Sequence, residues 1–237
     1  MSLDPKAKQI LSGISTATIT TILLRKGLRN VWMRTCHPLR QGFPRLVGPA
    51  FTLRFIPMRE DLGTPEAWSS PRSTRAAIEA MPEGSIAVAD AMRINDAGIY
   101  GDILCARMKK RGVVALVTDG MVRDAAGVLA TNLPVWCQGV AAPPSVAALT
   151  FVNWQEPIGC GGVAVFPDDV VVLDDDGATL IPAALVNDVV ELGPEQERFE
   201  AWVMEEVKGG HVLPGLYPPD ANTKLRYEAG HNKADKR

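Results

Sequence analysis

The chain has 237 residues, 46% of them hydrophobic, enough for one large domain or two small ones with an ordinary buried core. A formal charge of −2 without a basic stripe argues against nucleic acid as a partner, and no apolar run approaches the roughly 20 residues that cross a bilayer. Cys36, Cys105, Cys137 and Cys160 form no CxxC pair and His37, His211 and His231 no HExxH, so reduced, buried thiols in a cytoplasmic protein are expected in place of a disulfide or zinc framework.

Residues 6 to 26 carry apolar positions at helical spacing (Ile10, Ile14, Ala17, Ile22, Leu23), but threonines compete with helix, which predicts a break near Gly13 to Thr16. Leu46 to Ile56 alternates as a strand with Arg54 facing out, and Pro49 predicts an edge or a bulge. Residues 58 to 71, with Gly63, Pro65 and Pro71, read as a long loop, a length often tied to function. Arg72 to Met81 is helical in pattern. Ile86 to Ala89 is a strand ending in Asp90, whose carboxylate reads as a turn cap before a ligand.

The stretch Gly101 to Asp124 then organises the chain. Gly101 and Asp102 stand at a helix start, Gly112 is its stop, and Val113 to Val117 is a β-branched run of the kind buried on both faces. That strand delivers Asp119 and Gly120 to a turn, with Arg123 and Asp124 just beyond. In a β-α-β unit, Asp102 and the Arg123/Asp124 pair converge at the sheet edge where open α/β sheets place ligands.

Downstream, Ala125 to Leu129 is a helical turn, Leu133 to Cys137 a strand, Gly139 to Ser145 a loop and Val146 to Trp154 a strand. Gly159, Gly161 and Gly162 lack a GxxxxGK[ST] frame and read as tight packing sites. Val163 to Phe166, Val170 to Leu173 and Ala178 to Ile181 are strands, with Asp174 to Asp176 in a solvated turn. Pro182 to Lys208 is helical, with a break or kink demanded at Gly193-Pro194. The apolar segment Val212 to Tyr217 is expected to dock on its own or a neighbouring subunit.

An arginine offers a planar fork that matches a carboxylate bidentately, so Arg123 suits a 2-oxo acid. Asp124 and Asp102 offer hard oxygens of the kind magnesium or manganese accepts, and the free amides at the helix start favour an anion. Together these groups can hold an enolate. A capping Asp102 and a surface Arg123–Asp124 pair with no ligand is the competing reading of the same residues.

The chain resembles the class II, metal-dependent 4-hydroxy-4-methyl-2-oxoglutarate / 4-carboxy-4-hydroxy-2-oxoadipate aldolases and their RraA-like relatives. The resemblance rests on Asp102 followed after twenty residues by Arg123-Asp124, on VGPAFT at 47 to 52, GDIL at 101 to 104, VTDGMVRD, and GGVAVFPDDVVVLDDDG at 161 to 177. The Asp-x20-Arg-Asp pattern goes with aldolase and oxaloacetate decarboxylase activity, whereas ribonuclease regulators of this type carry Gly at the first position. The resemblance implies an α/β, three-layer β/β/α sandwich of the swivelling-domain type over residues 1–190, with residues 191–237 as a C-terminal helix and tail. It implies Mg2+ or Mn2+ on Asp124, with Asp102 supporting the ion through its water shell. Arg123 would bind the pyruvyl unit, and the amides of Gly101, Asp102, Ile103 and Leu104 the carboxylate. It further implies a homotrimer or hexamer with the site at a subunit interface, where a glutamate from a neighbour's C-terminal region helps; Glu195, Glu197, Glu200, Glu205 and Glu206 are the candidates. The reaction implied is a retro-aldol that releases pyruvate. A non-catalytic ribonuclease regulator, or another 2-oxo acid lyase or hydratase at the same metal site, is the alternative.

Overall fold

The computed structural model describes residues 3–234. Two helices come first, α1 (Pro5–Ser12) and α2 (Thr16–Arg25). Asp4 caps the first by accepting from the Ala7 N–H at 2.9 Å, and Ser15 caps the second by accepting from the Thr18 N–H at 3.1 Å. The predicted break is therefore one helix end followed at once by a new cap. The chain continues through β1 (His37–Pro38), β2 (Leu46–Pro57), α3 (Pro65–Trp68), α4 (Thr74–Ala80), β3 (Ile86–Asp90), α5 (Asp102–Lys110), β4 (Ala115–Thr118), β5 (Met121–Val122), α6 (Ala125–Ala130) and β6 (Val135–Cys137). It ends with β7 (Gly139–Val140), β8 (Leu149–Trp154), β9 (Ile158–Cys160), β10 (Val163–Val165), β11 (Val170–Asp174), β12 (Gly177–Ile181), α7 (Val186–Lys208) and α8 (Ala221–Ala234).

The main sheet runs β1-β6-β4-β3-β2-β11-β12, with β6, β4, β3 and β2 parallel. Strand β2 is long enough to serve two antiparallel neighbours in succession, Leu46–Pro49 against β11 and Leu53–Pro57 against β8. Pro49 thus lies in a central strand, opposite Val170, and not at an edge. The Ala50 N–H donates to the Asp169 carbonyl at 2.7 Å, so the missing N–H of Pro49 faces the other side, where pairing with β3 begins only at Ala50. The register shift in β2 comes later, between Arg54 and Phe55.

Alternation along these strands separates the layers. Phe51, Leu53, Phe55, Ala87, Ala89 and Leu116 face α4, α5 and α6 through Ala77, Ile78, Cys105, Met108 and Val128. On the other face, Ile86, Val88, Ala115 and Val117 pack on Ile158, Val163, Val165, Val171 and Leu180 from β9 to β12. Beyond these, Val170, Val172 and Ile181 are covered by Leu11, Ile14, Ile19, Ile22 and Val189 of the N-terminal segment and α7. The expected three-layer β/β/α arrangement is present, with a helical layer outside it and a C-terminal helical extension.

Several expectations change. Helix α7 continues through Gly193-Pro194 without the break, and Gly193 is a docking notch: a β-carbon there would lie 2.9 Å from Cγ1 of the buried Ile14. Pro65–Trp68 is a short helix inside the predicted loop, Gly139–Val140 pairs with Met121–Val122, and β8 starts at Leu149 after a single turn of tighter helix at Ser145–Ala147. In the tail Leu216 is buried, but Val212, Leu213 and Tyr217 are exposed, and α8 docks on α7 through Tyr227 against Phe199 and Trp202. No helix among the described residues is long and apolar enough to cross a membrane.

Candidate active site

Beyond the C-terminal ends of β3, β4 and β6, three segments run side by side. The Ile99 N–H donates to the Met121 carbonyl at 2.9 Å, the Arg123 N–H to the Tyr100 carbonyl at 3.0 Å, and the Ala141 N–H to the Val122 carbonyl at 2.9 Å. This small separate sheet carries Arg123 and Asp124 to the start of α5. A cleft of about 780 Å³ opens there, lined by Gly101, Asp102, Ile103, Leu104, Arg123 and Asp124 among others. The structure therefore gathers Gly101, Asp102, Ile103, Leu104, Arg123 and Asp124 into one cavity.

Asp124 has φ 53° and ψ 45°, a left-handed conformation that Asp tolerates better than most side chains and that costs on the order of 1 kcal/mol. It opens α6 without capping it. Its Oδ2 instead accepts from Nε of Arg123 at 3.1 Å. That bond fixes the plane of the guanidinium and leaves its two terminal nitrogens for a ligand. Asp102 is the first residue of α5, and its Oδ1 accepts from the Ile103 N–H at 2.7 Å. The Ile103 amide is thus already engaged, and the Cys105 N–H goes to the Gly101 carbonyl at 3.0 Å. The first-turn amides of Asp102 and Leu104 have no capping side chain.

Three glycines make room for these groups. A β-carbon at Gly98 would lie 2.7 Å from Cβ of Arg123, one at Gly101 2.5 Å from Oδ2 of Asp124, and one at Gly127 2.7 Å from Oδ2 of Asp102. Sequence reasoning singled out Gly101 for its amide and passed over the other two. The usable signal was the rhythm of Gly98, Gly101 and Gly127 around the acidic and basic positions. The wall of the cleft built from residues 62–75 and 144–152 was legible only as a long, functional-length loop over residues 58 to 71, since its segments are distant in sequence from α5.

Behind the polar edge lie the buried Tyr100 and Cys105. Burial, with Cys105 nearby, pushes the Tyr100 hydroxyl far up, and burial, then the Asp102 carboxylate and Cys137, push the Cys105 thiol up to about 12. Neither lines the cleft; the acidic side chains that border it are Asp102 and Asp124. Asp119, one turn earlier, is structural: its carboxylate accepts from Ala91 and Gly161 amides at 2.9 and 3.0 Å, and burial raises its pKa. Asp90 likewise ties down the Met92 and Gly159 amides at 3.0 and 3.2 Å.

The donor set fits a hard divalent cation. Asp102 and Asp124 bring carboxylate oxygens that lack protein donors among the described residues, Oδ2 on the first and Oδ1 on the second. The described residues hold no group of three or more His, Cys, Asp or Glu side chains suited to a metal. An ion here would keep several waters, as magnesium does. The candidate glutamates all lie on α7, outside this cleft, with partners of their own: Glu195 with Arg198, Glu197 with the Ser15 amide at 2.7 Å, Glu200 with Gln196 at 2.7 Å, Glu205 with Lys208 at 2.8 Å and Glu206 with Arg226.

A mixed sheet with parallel central strands, and with an acidic helix start and an Arg-Asp pair beyond their C-terminal ends, defines an α/β protein with a ligand cleft at that edge. The family model RraA-like (Aldolase/RraA) matches residues 16–180, and the chain belongs to that family. A protein of Halalkalibacterium halodurans, provisionally named a 4-hydroxy-4-methyl-2-oxoglutarate aldolase, is 31% identical over 171 residues, 72% of this chain and 75% of that protein. Protein DlpA of Legionella pneumophila is 29% identical over 186 residues, 78% of this chain; the matched stretch spans only 29% of DlpA. The crystal structure of Streptomyces coelicolor RraAS2, described as an unusual member of the RNase ES inhibitor RraA protein family, superposes with a TM-score of 0.77 at 30% identity, covering 85% of this chain and 97% of that one.

Proposed function

We propose that this protein is a divalent-metal-dependent lyase that cleaves a 4-hydroxy-2-oxo acid by a retro-aldol reaction, releasing pyruvate, with oxaloacetate decarboxylation as a side activity. The observation that carries this reading is the convergence of Asp102, Arg123, Asp124 and the uncapped first turn of α5 on one cleft. The similarity to a protein named as an aldolase supports the same chemistry.

In the reaction the C4 hydroxyl gives up its proton, the C3–C4 bond breaks with its electron pair going to the pyruvyl fragment, and C4 leaves as a carbonyl. The resulting enolate takes a proton at C3 to become pyruvate. The Asp102 and Leu104 amides, with the helix dipole behind them, hold the substrate carboxylate. Arg123 presents its terminal nitrogens to the oxygen on which enolate charge develops, and its Nε bond to Asp124 prevents the fork from turning away. Asp102 orients the water that receives the C4 hydroxyl proton. Mg2+ or Mn2+ held by Asp124, with Asp102 alongside, would supply Lewis-acid polarisation of the keto oxygen. Loss of CO2 from oxaloacetate passes through the same enolate and needs no hydroxyl proton removed. The proposal includes a homotrimer or hexamer in which a glutamate of α7 reaches the cleft of a neighbour.

The test is pyruvate release from oxaloacetate with Mg2+ or Mn2+, repeated with chelator, for wild type and Asp124→Ala. Metal-dependent release that disappears in the variant is the expected result. Release no greater than that of metal alone overturns the reading and favours a regulator that acts by protein contact, for which the resemblance to RraAS2 speaks.

A further inference from the structure

The pyruvyl unit accounts for only part of the cleft. At about 780 Å³ it lies in the roughly 300–1,000 Å³ range that holds a drug-sized ligand, far beyond the six heavy atoms of pyruvate. Its remaining wall is built by Leu62, Trp68, Val146 and Val152, with Arg72 and Arg75 among them, and among the described residues of this chain it contains no acidic side chain. Leu62 and Trp68 are 44% and 43% exposed, apolar surface left open inside a cavity.

The two arginines differ from their neighbours. Arg59 pairs with Asp61 at 2.6 Å, and Arg107 and Arg111 reach Glu79 at 2.7 and 3.7 Å. Glu79 follows Arg75 by four residues on α4, the spacing at which a helix forms an ion pair, yet both its oxygens are turned to Arg107 at 2.7 Å. Arg75 instead lies over the Trp68 ring, its Cζ 5.3 Å from the centroid. A guanidinium stacked on an indole keeps its in-plane N–H groups free for a carboxylate. Neither Arg72 nor Arg75 has a carboxylate partner among the described residues.

We infer that this wall is the specificity subsite for the C4 arm of the substrate, and that it takes an arm with an apolar or aromatic body ending in a carboxylate, held by Arg75 and Arg72. The inference rests on the lyase reading above. Trp68, Leu62 and the two valines cover the body, and the guanidinia take the charged end, so an arm with body but no charge, or charge on a short stem, satisfies only half of the wall.

The experiment compares kcat/KM for 4-hydroxy-2-oxo acids bearing methyl, carboxymethyl, phenyl or 4-carboxyphenyl at C4, using the intact protein with Mg2+. The carboxyphenyl arm is expected to exceed the phenyl and the carboxymethyl arms by about tenfold each. Arg75→Gln and Arg72→Gln, exposed positions whose replacement leaves the core intact, should each lower the carboxyphenyl-to-phenyl ratio, and Trp68→Ala should lower both aromatic arms against methyl. Equal rates for carboxyphenyl and phenyl, a preference for carboxymethyl over carboxyphenyl, or an unchanged ratio in both arginine variants overturns the subsite. Metal-dependent exchange of the pyruvate methyl protons separates the two levels. Exchange without the arm preference sinks the subsite alone, and neither exchange nor cleavage of any arm sinks the lyase reading and the subsite with it.

Discussion

Gly101 and Asp124 are matched to each other: a β-carbon on the glycine would lie 2.5 Å from the aspartate Oδ2, the oxygen that receives the Arg123 Nε. Gly101 has φ −113°, a conformation open to any residue, so its need is for space and not for backbone freedom. Gly101→Ala is therefore expected to push Asp124 off the guanidinium and weaken Mn2+ binding by about tenfold or more, while melting within about 1 kcal/mol of wild type. Calorimetric metal titration alongside thermal melting checks both halves.

Arg123→Ala should abolish turnover and leave the fold intact. The Arg123 and Asp124 side chains are 35% and 45% exposed, so their pair contributes less than about 1 kcal/mol to stability. Loss of a donor aimed at developing charge costs about 10²–10³ in kcat. Near-normal rates would remove Arg123 from the chemistry.

Gly193→Ala should destabilise by about 1–3 kcal/mol without touching the cleft, since the new methyl collides with Ile14, which is 1% exposed. Urea unfolding reads the loss as a lower midpoint. An unchanged midpoint would mean that α7 does not depend on that notch.

The cysteines make a pH prediction. Burial first, then the Asp102 carboxylate, pushes Cys105 up to about 12, and burial, against a smaller lowering by the Gly139 backbone, pushes Cys137 up to about 11, from an ordinary value of 9.0. In the folded state both thiols hold their protons longer than in the unfolded state. The stability this confers is fully present below pH 9 and is lost as pH rises through about 11 to 12. Denaturation midpoints should fall across that window, and the buried thiols should resist a thiol-specific reagent at pH 8 until the chain unfolds.

Much of the fold was legible locally. The start and stop of α5 at Gly101 and Gly112, the β-branched run before Thr118 and the Asp-Gly turn after Asp174 are set by neighbours in sequence, because helix-end and turn chemistry act over a few residues. Pro49 and Gly193-Pro194 misled for the converse reason. Local rules charge a proline for its missing N–H, but whether an acceptor waits for that N–H, or a side chain needs the space beside a glycine, is settled by the partner strand or helix.

The site divides along the same line. The sequence by itself determined the chemistry on offer, an acidic residue at a helix start and an Arg-Asp pair after a buried strand, since both follow from chain order around α5 and β4. Only the tertiary structure decided that Gly98, Gly101 and Gly127 are the spaces those side chains occupy, that Asp119 is tied up by backbone amides, and that Trp68 of α3, Arg72, and Arg75 of α4 come from a segment distant in sequence to form the rest of the cleft. The physical reason is range: helix starts and strand runs are fixed by bonds and contacts between near neighbours, whereas a cavity exists only where chain segments far apart in sequence are packed against one another.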